Sequence, residues 1–377
     1  MRVTMVNKYY PPHLGGIEHH LRDLSVALAA RPGVHVRALV SNEGRGKVLE
    51  TLDGVDVVRL SRAFAYASTP VALGMPAAIR RQAAGAEPAD LLHLHSPYPW
   101  GETSWQMARA GLPTVLSYHS DIVRQKALLA VYGPLLRRLL DRVDLIIAAS
   151  PDMVEHSEFL APVASKCRVV PYGIDVGSFA TPEVLERAAR LRDDRRRPVV
   201  LFAGRLVYYK GVDILVRAMA DVDADLVLLG RGPLESELRA AAERLGIADR
   251  VTFLPPQPDG ELRAWYAAAD VLCLPSVARS EAFGIVQIEA HAAGTPVVST
   301  ALPTGVPFAN KDGETGIVVP VGDAGALAEA LRAIVGDAGL RERLGRGAQA
   351  RAREMFGTER MVEGVLSVYR EARGEAA

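Results

Sequence analysis

Short apolar runs alternate with longer amphipathic stretches along the whole chain, and the alternation starts afresh near its middle. In the first half, residues 2–6, 34–40, 55–60, 91–95, 114–118, 145–149 and 168–171 read as strands, with helical periodicity in stretches such as 17–31 and 101–110. The second half restarts with strands at 198–203, 225–229, 251–253, 271–275, 296–299 and 315–319. Helices are predicted there at 211–220, 233–245, 260–268, 284–293, 324–335 and 339–356. Strands alternating with helices build parallel sheets from βαβ units. A chain of 377 residues is comfortable for two such domains. The division is predicted within 173–198, where Gly177, Thr181-Pro182 and the charged run 190–197 suit an exposed connection. The predicted organisation is an N-terminal domain over 1–175 and a C-terminal domain over 176–358. The expected class is α/β, with two doubly wound, Rossmann-like domains facing a central cleft, because such sheets bind ligands at the carboxyl ends of their strands.

Composition narrows the function. Hydrophobic residues at 49% and charged residues at 23% support sizeable cores and exclude wholesale disorder. Lys plus Arg and Asp plus Glu both total 44, so broad nucleic-acid binding by counterion release is not expected. The charged run at 190–197 reads as a solvated helix end before the second half's first strand. Only Cys167 and Cys273 occur, which argues against a disulfide framework or a cysteine metal site. The chain opens without a signal-peptide pattern and carries no long uncharged apolar stretch, so the cytoplasm is the expected compartment.

Three constellations carry chemistry. Gly15-Gly16 follows the first strand and precedes a helix, where free N–H groups can meet an anion; alone, it serves equally as a tight turn. In Gly204-Arg205-Leu206-Val207-Tyr208-Tyr209-Lys210-Gly211, two cations bracket the loop after a strand. They can hold a diphosphate and neutralise charge as it leaves, or they are surface cations on a solvated loop. In Glu281-Ala282-Phe283-Gly284-Ile285-Val286-Gln287-Ile288-Glu289, a helix beginning near Gly284 leaves Glu281 in the preceding loop and Glu289 on the helix. One carboxylate can then read sugar hydroxyls and the other a ribose diol, unless they are a capping and an ordinary helix glutamate.

These elements occur in order with Leu229-Gly230-Arg231-Gly232-Pro233, Val251-Thr252-Phe253-Leu254, Asp270…Leu274-Pro275-Ser276 and Gly294-Thr295-Pro296-Val297-Val298. The first half adds Pro11-Pro12…Gly15-Gly16-Ile17-Glu18, His93-Leu94-His95 and Ser117-Tyr118-His119-Ser120-Asp121. Over nearly its whole length the chain resembles the retaining family-four glycosyltransferases of GT-B fold. Residues 280–290, with Ser299-Thr300…Thr304-Gly305-Val306-Pro307, are most similar to bacterial mannosyl- and rhamnosyl-type transferases of surface polysaccharide assembly, which commonly use GDP-sugars.

The resemblance implies roles. Arg205 and Lys210 contact the donor diphosphate, with the Gly15-Gly16 backbone opposite. Glu281 and the Phe283-Gly284-Ile285 backbone bind the transferred sugar, and Glu289 holds the ribose. Gly230, Gly232 and Phe253 surround the base. His119, on its own a satisfied loop histidine, lies near the sugar and orients hydroxyls or stabilises positive character at the anomeric carbon. Retention by front-face attack needs no enzyme nucleophile. No cofactor beyond the nucleotide-sugar substrate and no metal is implied: Asp221-Val222-Asp223-Ala224-Asp225 sits at a strand start, away from the expected ligand end, and His93 with His95 lacks an evident third ligand.

The acceptor is expected to be a saccharide or a lipid-linked saccharide. The stretch 122–142 intersperses Arg124, Lys126, Arg137, Arg138 and Arg142 with leucines, which fits either an anionic membrane surface, the inner face of the cell membrane included, or a core-facing helix with a basic exterior. The C-terminal helix, 359–377, is expected to pack back on the first domain. The same donor machinery can also serve a small soluble acceptor in natural-product biosynthesis. A catalytically silent nucleotide-sugar-binding protein is the alternative from another class, against which the intact Arg205, Lys210, Glu281 and Glu289 speak.

Overall fold

Runs such as Val-Val-Leu-Phe-Ala and Leu-Leu-His-Leu-His-Ser become strands buried on both faces, the environment a parallel sheet covered by helices imposes. A computed structural model describes residues 1–13, 15–66, 69–85, 87–121 and 126–375, the side chains of 126–131 excepted. The chain divides into two units, Met1–Gly173 with Thr358–Ala377, and Ile174–Gly357.

The first unit holds β1 (Arg2–Asn7), β2 (His35–Ser41), β3 (Val48–Leu52), β4 (Val55–Leu60), β5 (Phe64–Tyr66), β6 (Thr69–Val71), β7 (Leu91–Ser96), β8 (Thr114–Tyr118), β9 (Leu145–Ala148) and β10 (Cys167–Val169). Eight of them form one sheet in the order β10-β9-β8-β7-β1-β2-β4-β3, parallel except for the β3–β4 pair, while β5 and β6 make a separate hairpin. The winding reverses between β1 and β7. The helix Thr358–Ala372 belongs to this unit: Met361, Val362, Val365, Val368 and Tyr369 share a core with Leu21, Leu24 and Leu28 of the helix Gly16–Ala29.

The second unit holds β11 (Val199–Ala203), β12 (Asp225–Leu229), β13 (Val251–Leu254), β14 (Val271–Leu274), β15 (Val297–Thr300) and β16 (Gly316–Val319), all parallel, in the order β13-β12-β11-β14-β15-β16. Numbered from β11, this is the 3-2-1-4-5-6 winding of a dinucleotide-binding sheet, with its switch point between β11 and β14. Separate apolar clusters form its core, one including Phe202, Leu215 and Leu331, the other Leu201, Trp265 and Tyr266.

Three departures from the sequence reading have physical causes. The segment predicted as an exposed connection contains the helix Pro182–Asp193. Thr181 caps it by accepting from the Val184 N–H, Pro182 opens it, and Arg187 makes a bidentate contact to Glu261 at 2.8 and 2.9 Å. The charged run is, as expected, a helix end before β11, exposed except at Leu191 and Arg195, and Arg192 and Arg195 pair there with Asp270 and Asp225. Strands β3, β5 and β6 were not predicted. Val48, Leu49, Phe64 and Tyr66 are exposed, so the inside–outside alternation that marks a half-buried strand is blurred there. The helix Met75–Ala84 also escaped, because alanines dominate it and only Met75, Ala78 and Ile79 are buried.

In the stretch 122–142, residues 122–125 lie outside the described residues and the helix runs Lys126–Arg142. Leu136, Leu139 and Leu140 are buried, while Arg137, Arg138 and Arg142 are exposed. The described part therefore takes the core-facing form with a basic exterior. No described helix is long and apolar enough to cross a membrane.

Candidate functional site

In the second unit, the loops leaving β11 and β14 separate at the switch point, and their backbones are tied where Val277 N–H donates to the Tyr209 carbonyl at 2.8 Å. That tie brings Lys210 to Glu281. The ammonium lies 2.5 Å from Glu281 Oε2, with only 12% and 9% of the two side chains exposed. The same carboxylate oxygen accepts from the buried Ser276 hydroxyl at 3.0 Å, and Thr300 Oγ1 donates to the Ser276 carbonyl at 2.5 Å. Ser276 falls within the sequence motif, yet nothing in the sequence marked it as the partner of Glu281. A buried cation and carboxylate held this way form a pre-set charge pair facing the carboxyl end of the sheet.

The turn after Glu281 requires glycine. Gly284 has φ +75°, and a Cβ there would come within 2.5 Å of Leu274 Cδ2 on β14. The helix Ile285–Ala292 starts immediately after it, so Glu281 precedes the helix and Glu289 lies within it. Phe283 is buried against Phe356 and Phe308, while Gln287 donates to the Phe283 and Val306 carbonyls at 2.8 and 3.4 Å. Gly305 N–H donates to the Ala282 carbonyl at 2.8 Å, so the loop after β15 braces the glutamate turn. On the helix, Glu289 Oε2 accepts from the Tyr266 hydroxyl at 2.6 Å.

Other expected residues take different surroundings. Arg205 is exposed, in contrast to the nearly buried Lys210. Gly230 and Gly232 pack backbone to backbone on the β11 loop: Cβ atoms there would lie 1.9 Å from the Gly204 carbonyl oxygen and 2.2 Å from that of Leu206. Their lack of side chains is thus required by loop packing, whatever they face. One face of the Phe253 ring is covered by the Arg239 guanidinium, 4.1 Å from the centroid. That contact competes with any base for the same face.

In the first unit, Gly15 precedes the helix Gly16–Ala29, and a Cβ on it would come within 2.1 Å of Glu18 Oε2. The helix start already has a carboxylate of its own. His119 is 4% exposed and both its ring nitrogens are engaged, Nε2 with His95 Nδ1 at 2.9 Å and Nδ1 with the Tyr172 hydroxyl at 2.8 Å. To contact a sugar hydroxyl, the ring must give up one of these partners. His93 bridges Ser117 Oγ and the Tyr369 hydroxyl at 2.8 and 2.7 Å. Period-2 alternation put His93 and His95 on one face, but the pairings of His93 with Tyr369, of His95 with His119 and of His119 with Tyr172 join distant segments and left no sequence signal. Among the described residues no histidine, cysteine or acidic group of three or more is arranged to hold a metal.

Burial holds this cluster neutral: the His93 imidazolium is pushed down to about 3, and those of His95 and His119 well below their usual range. In the unfolded chain these rings protonate near pH 6.5, so below that pH the unfolded state binds more protons and is favoured. The expected result is a urea midpoint that falls as pH is lowered from 7 toward 4. A midpoint flat over that range would show the cluster to be hydrated and titrating normally.

Residues 14–178 match the family described as Glycosyltransferase Family 4, and residues 186–351 the one described as Glycosyl transferases group 1. The chain is 32% identical to an O-antigen chain mannosyltransferase C of Escherichia coli, over 98% of both chains. The chain belongs to the family-four glycosyltransferases. A D-rhamnosyltransferase of Pseudomonas aeruginosa is 34% identical to this glycosyltransferase over 94% of its chain and 92% of the relative. Among solved structures, sucrose-phosphate synthase from Thermosynechococcus elongatus is similar with a TM-score of 0.82 at 26% identity, covering 98% of each chain. The two Rossmann-like units of this glycosyltransferase make up the GT-B fold.

Proposed function

We propose that this glycosyltransferase moves a hexose, of mannose type, from a GDP-sugar to a saccharide or lipid-linked saccharide with retention of anomeric configuration. The observation that carries the chemistry is the buried Lys210–Glu281 pair at the switch point of the second unit. Lys210, assisted by Arg205, neutralises the diphosphate as the bond from the anomeric carbon to its oxygen breaks and the electron pair leaves with it. Glu281 accepts hydrogen bonds from hydroxyls of the transferred sugar, flanked by the backbone of Phe283, Gly284 and Ile285, and Glu289 accepts from the ribose. The acceptor hydroxyl attacks from the face the diphosphate leaves, and its proton passes to a phosphate oxygen. No protein nucleophile and no metal takes part. Roles for Gly15, Gly16 and His119 rest on the family resemblance, as do those of Gly230, Gly232 and Phe253 toward the base.

The substrate class draws on the likeness to a mannosyl- and a D-rhamnosyltransferase. It points to polysaccharide assembly at the cytoplasmic face of a membrane, where the basic exterior of the Lys126–Arg142 helix meets anionic lipid by charge alone.

A calorimetric comparison of GDP, UDP, ADP and dTDP, with and without EDTA, tests donor and metal together. Selective GDP binding that survives EDTA is expected; selective UDP binding removes the GDP-sugar reading, and loss in EDTA removes metal independence. The variant Glu281→Ala is expected to lower transfer about 100-fold or more while leaving GDP affinity within a few-fold. Equal loss of both sinks the sugar-hydroxyl role.

A further inference from the structure

Tyr266 sits on the helix Asp259–Ala268 with its side chain fully buried. It is held at both ends: Thr295 Oγ1 donates to its backbone carbonyl at 2.6 Å, and its ring lies in the apolar cluster with Phe179, 6.2 Å between centroids. The hydroxyl lies on the ring axis, so flipping the ring does not move it. In a close-packed interior the χ1 rotamer cannot change either. Its oxygen is therefore a fixed point, and it donates to Glu289 Oε2 at 2.6 Å. Glu289 is only partly buried and sits on a different helix. A hydrogen bond to one carboxylate oxygen narrows the rotamers a glutamate there samples, so less freedom is lost on binding a ligand.

We propose that Tyr266 is a positioning residue for the donor's ribose: its hydroxyl holds one oxygen of Glu289 so that the carboxylate meets the 2′ and 3′ hydroxyls in a preset orientation. This rests on the ribose role of Glu289 proposed above. The phenol touches no substrate. It acts by sparing the carboxylate its ordering cost on binding and by satisfying the lone pairs that the ribose does not reach.

The test compares GDP with 2′,3′-dideoxy-GDP by calorimetry, in the unsubstituted enzyme and in Tyr266→Phe, with thermal melting to confirm folding. The unsubstituted enzyme is expected to prefer GDP. Y266F should lose about tenfold in GDP affinity, the scale of a hydrogen bond to a charged group, while its affinity for the dideoxy form stays unchanged. The donor KM should rise with kcat largely retained. If Y266F loses both nucleotides equally, or neither, the positioning role is overturned and the ribose role of Glu289 stands. If the unsubstituted enzyme does not discriminate between the two nucleotides, the ribose role itself falls, and the proposal with it. Should Y266F fail to fold, Tyr266→Met, whose unbranched side chain adapts to the same space, is read in the same way.

Discussion

Replacing Lys210 by methionine is expected to lower donor turnover by about 10²- to 10³-fold, the loss typical of removing one preorganised charge from a developing anion. The same substitution should destabilise the second unit, because Glu281 is left as an unpaired carboxylate in a nearly buried site. Removing one partner of a buried pair costs about 3–5 kcal/mol, whereas replacing both by apolar groups is often neutral. The two effects are therefore separable. K210M should melt well below the unsubstituted enzyme, and K210M/E281L should recover most of the melting temperature while remaining inactive. If the double variant is as unstable as the single one, the orphaned carboxylate is not the cause. If K210M turns over donor normally, Lys210 does not serve the leaving group.

The largest purely structural effect is expected at Asp270. Its side chain, 9% exposed, accepts from the Val199 N–H at 2.8 Å and from the Arg192 guanidinium at 2.7 Å, with Arg341 Nε at 3.2 Å. It thus ties the starts of β11 and β14 to the helices Pro182–Asp193 and Ala338–Met355. Asp270→Ala deletes all of these bonds and leaves a buried backbone donor unsatisfied, at a cost of about 3 kcal/mol or more. Chemical denaturation should show that loss. Because Asp270 precedes β14, while Glu281 follows it, GDP affinity measured well below the melting transition should change little. A large drop in affinity with intact stability would reverse the assignment.

The parallel sheets were legible because buried strands are written as unbroken apolar runs, as in 199–203 and 271–274. The turn before the helix was legible because Gly284 marks a helix start locally, whereas the close approach of Leu274 that excludes a side chain there was not. The helix Pro182–Asp193 carried its start signals, Thr181 and Pro182, yet its charge content obscured them. Its packed face is only Val184, Ala188 and Leu191. The close packing of Gly230 and Gly232 against the carbonyls of Gly204 and Leu206 was not legible, because a contact between segments has no local signature.

By itself the sequence determined the alternation of strand and helix, the restart that makes two Rossmann-like units, and the residue types at the ends of β11 and β14. All of these are local, set by periodicity and backbone conformation within a few residues. Only the tertiary structure decided the partners: Glu281 with Lys210 and Ser276, Glu289 with Tyr266, His119 with His95 and Tyr172. Those pairings depend on which strands become neighbours at a switch point and which helices cover them. Strand order is a property of the whole sheet, and no single segment encodes it.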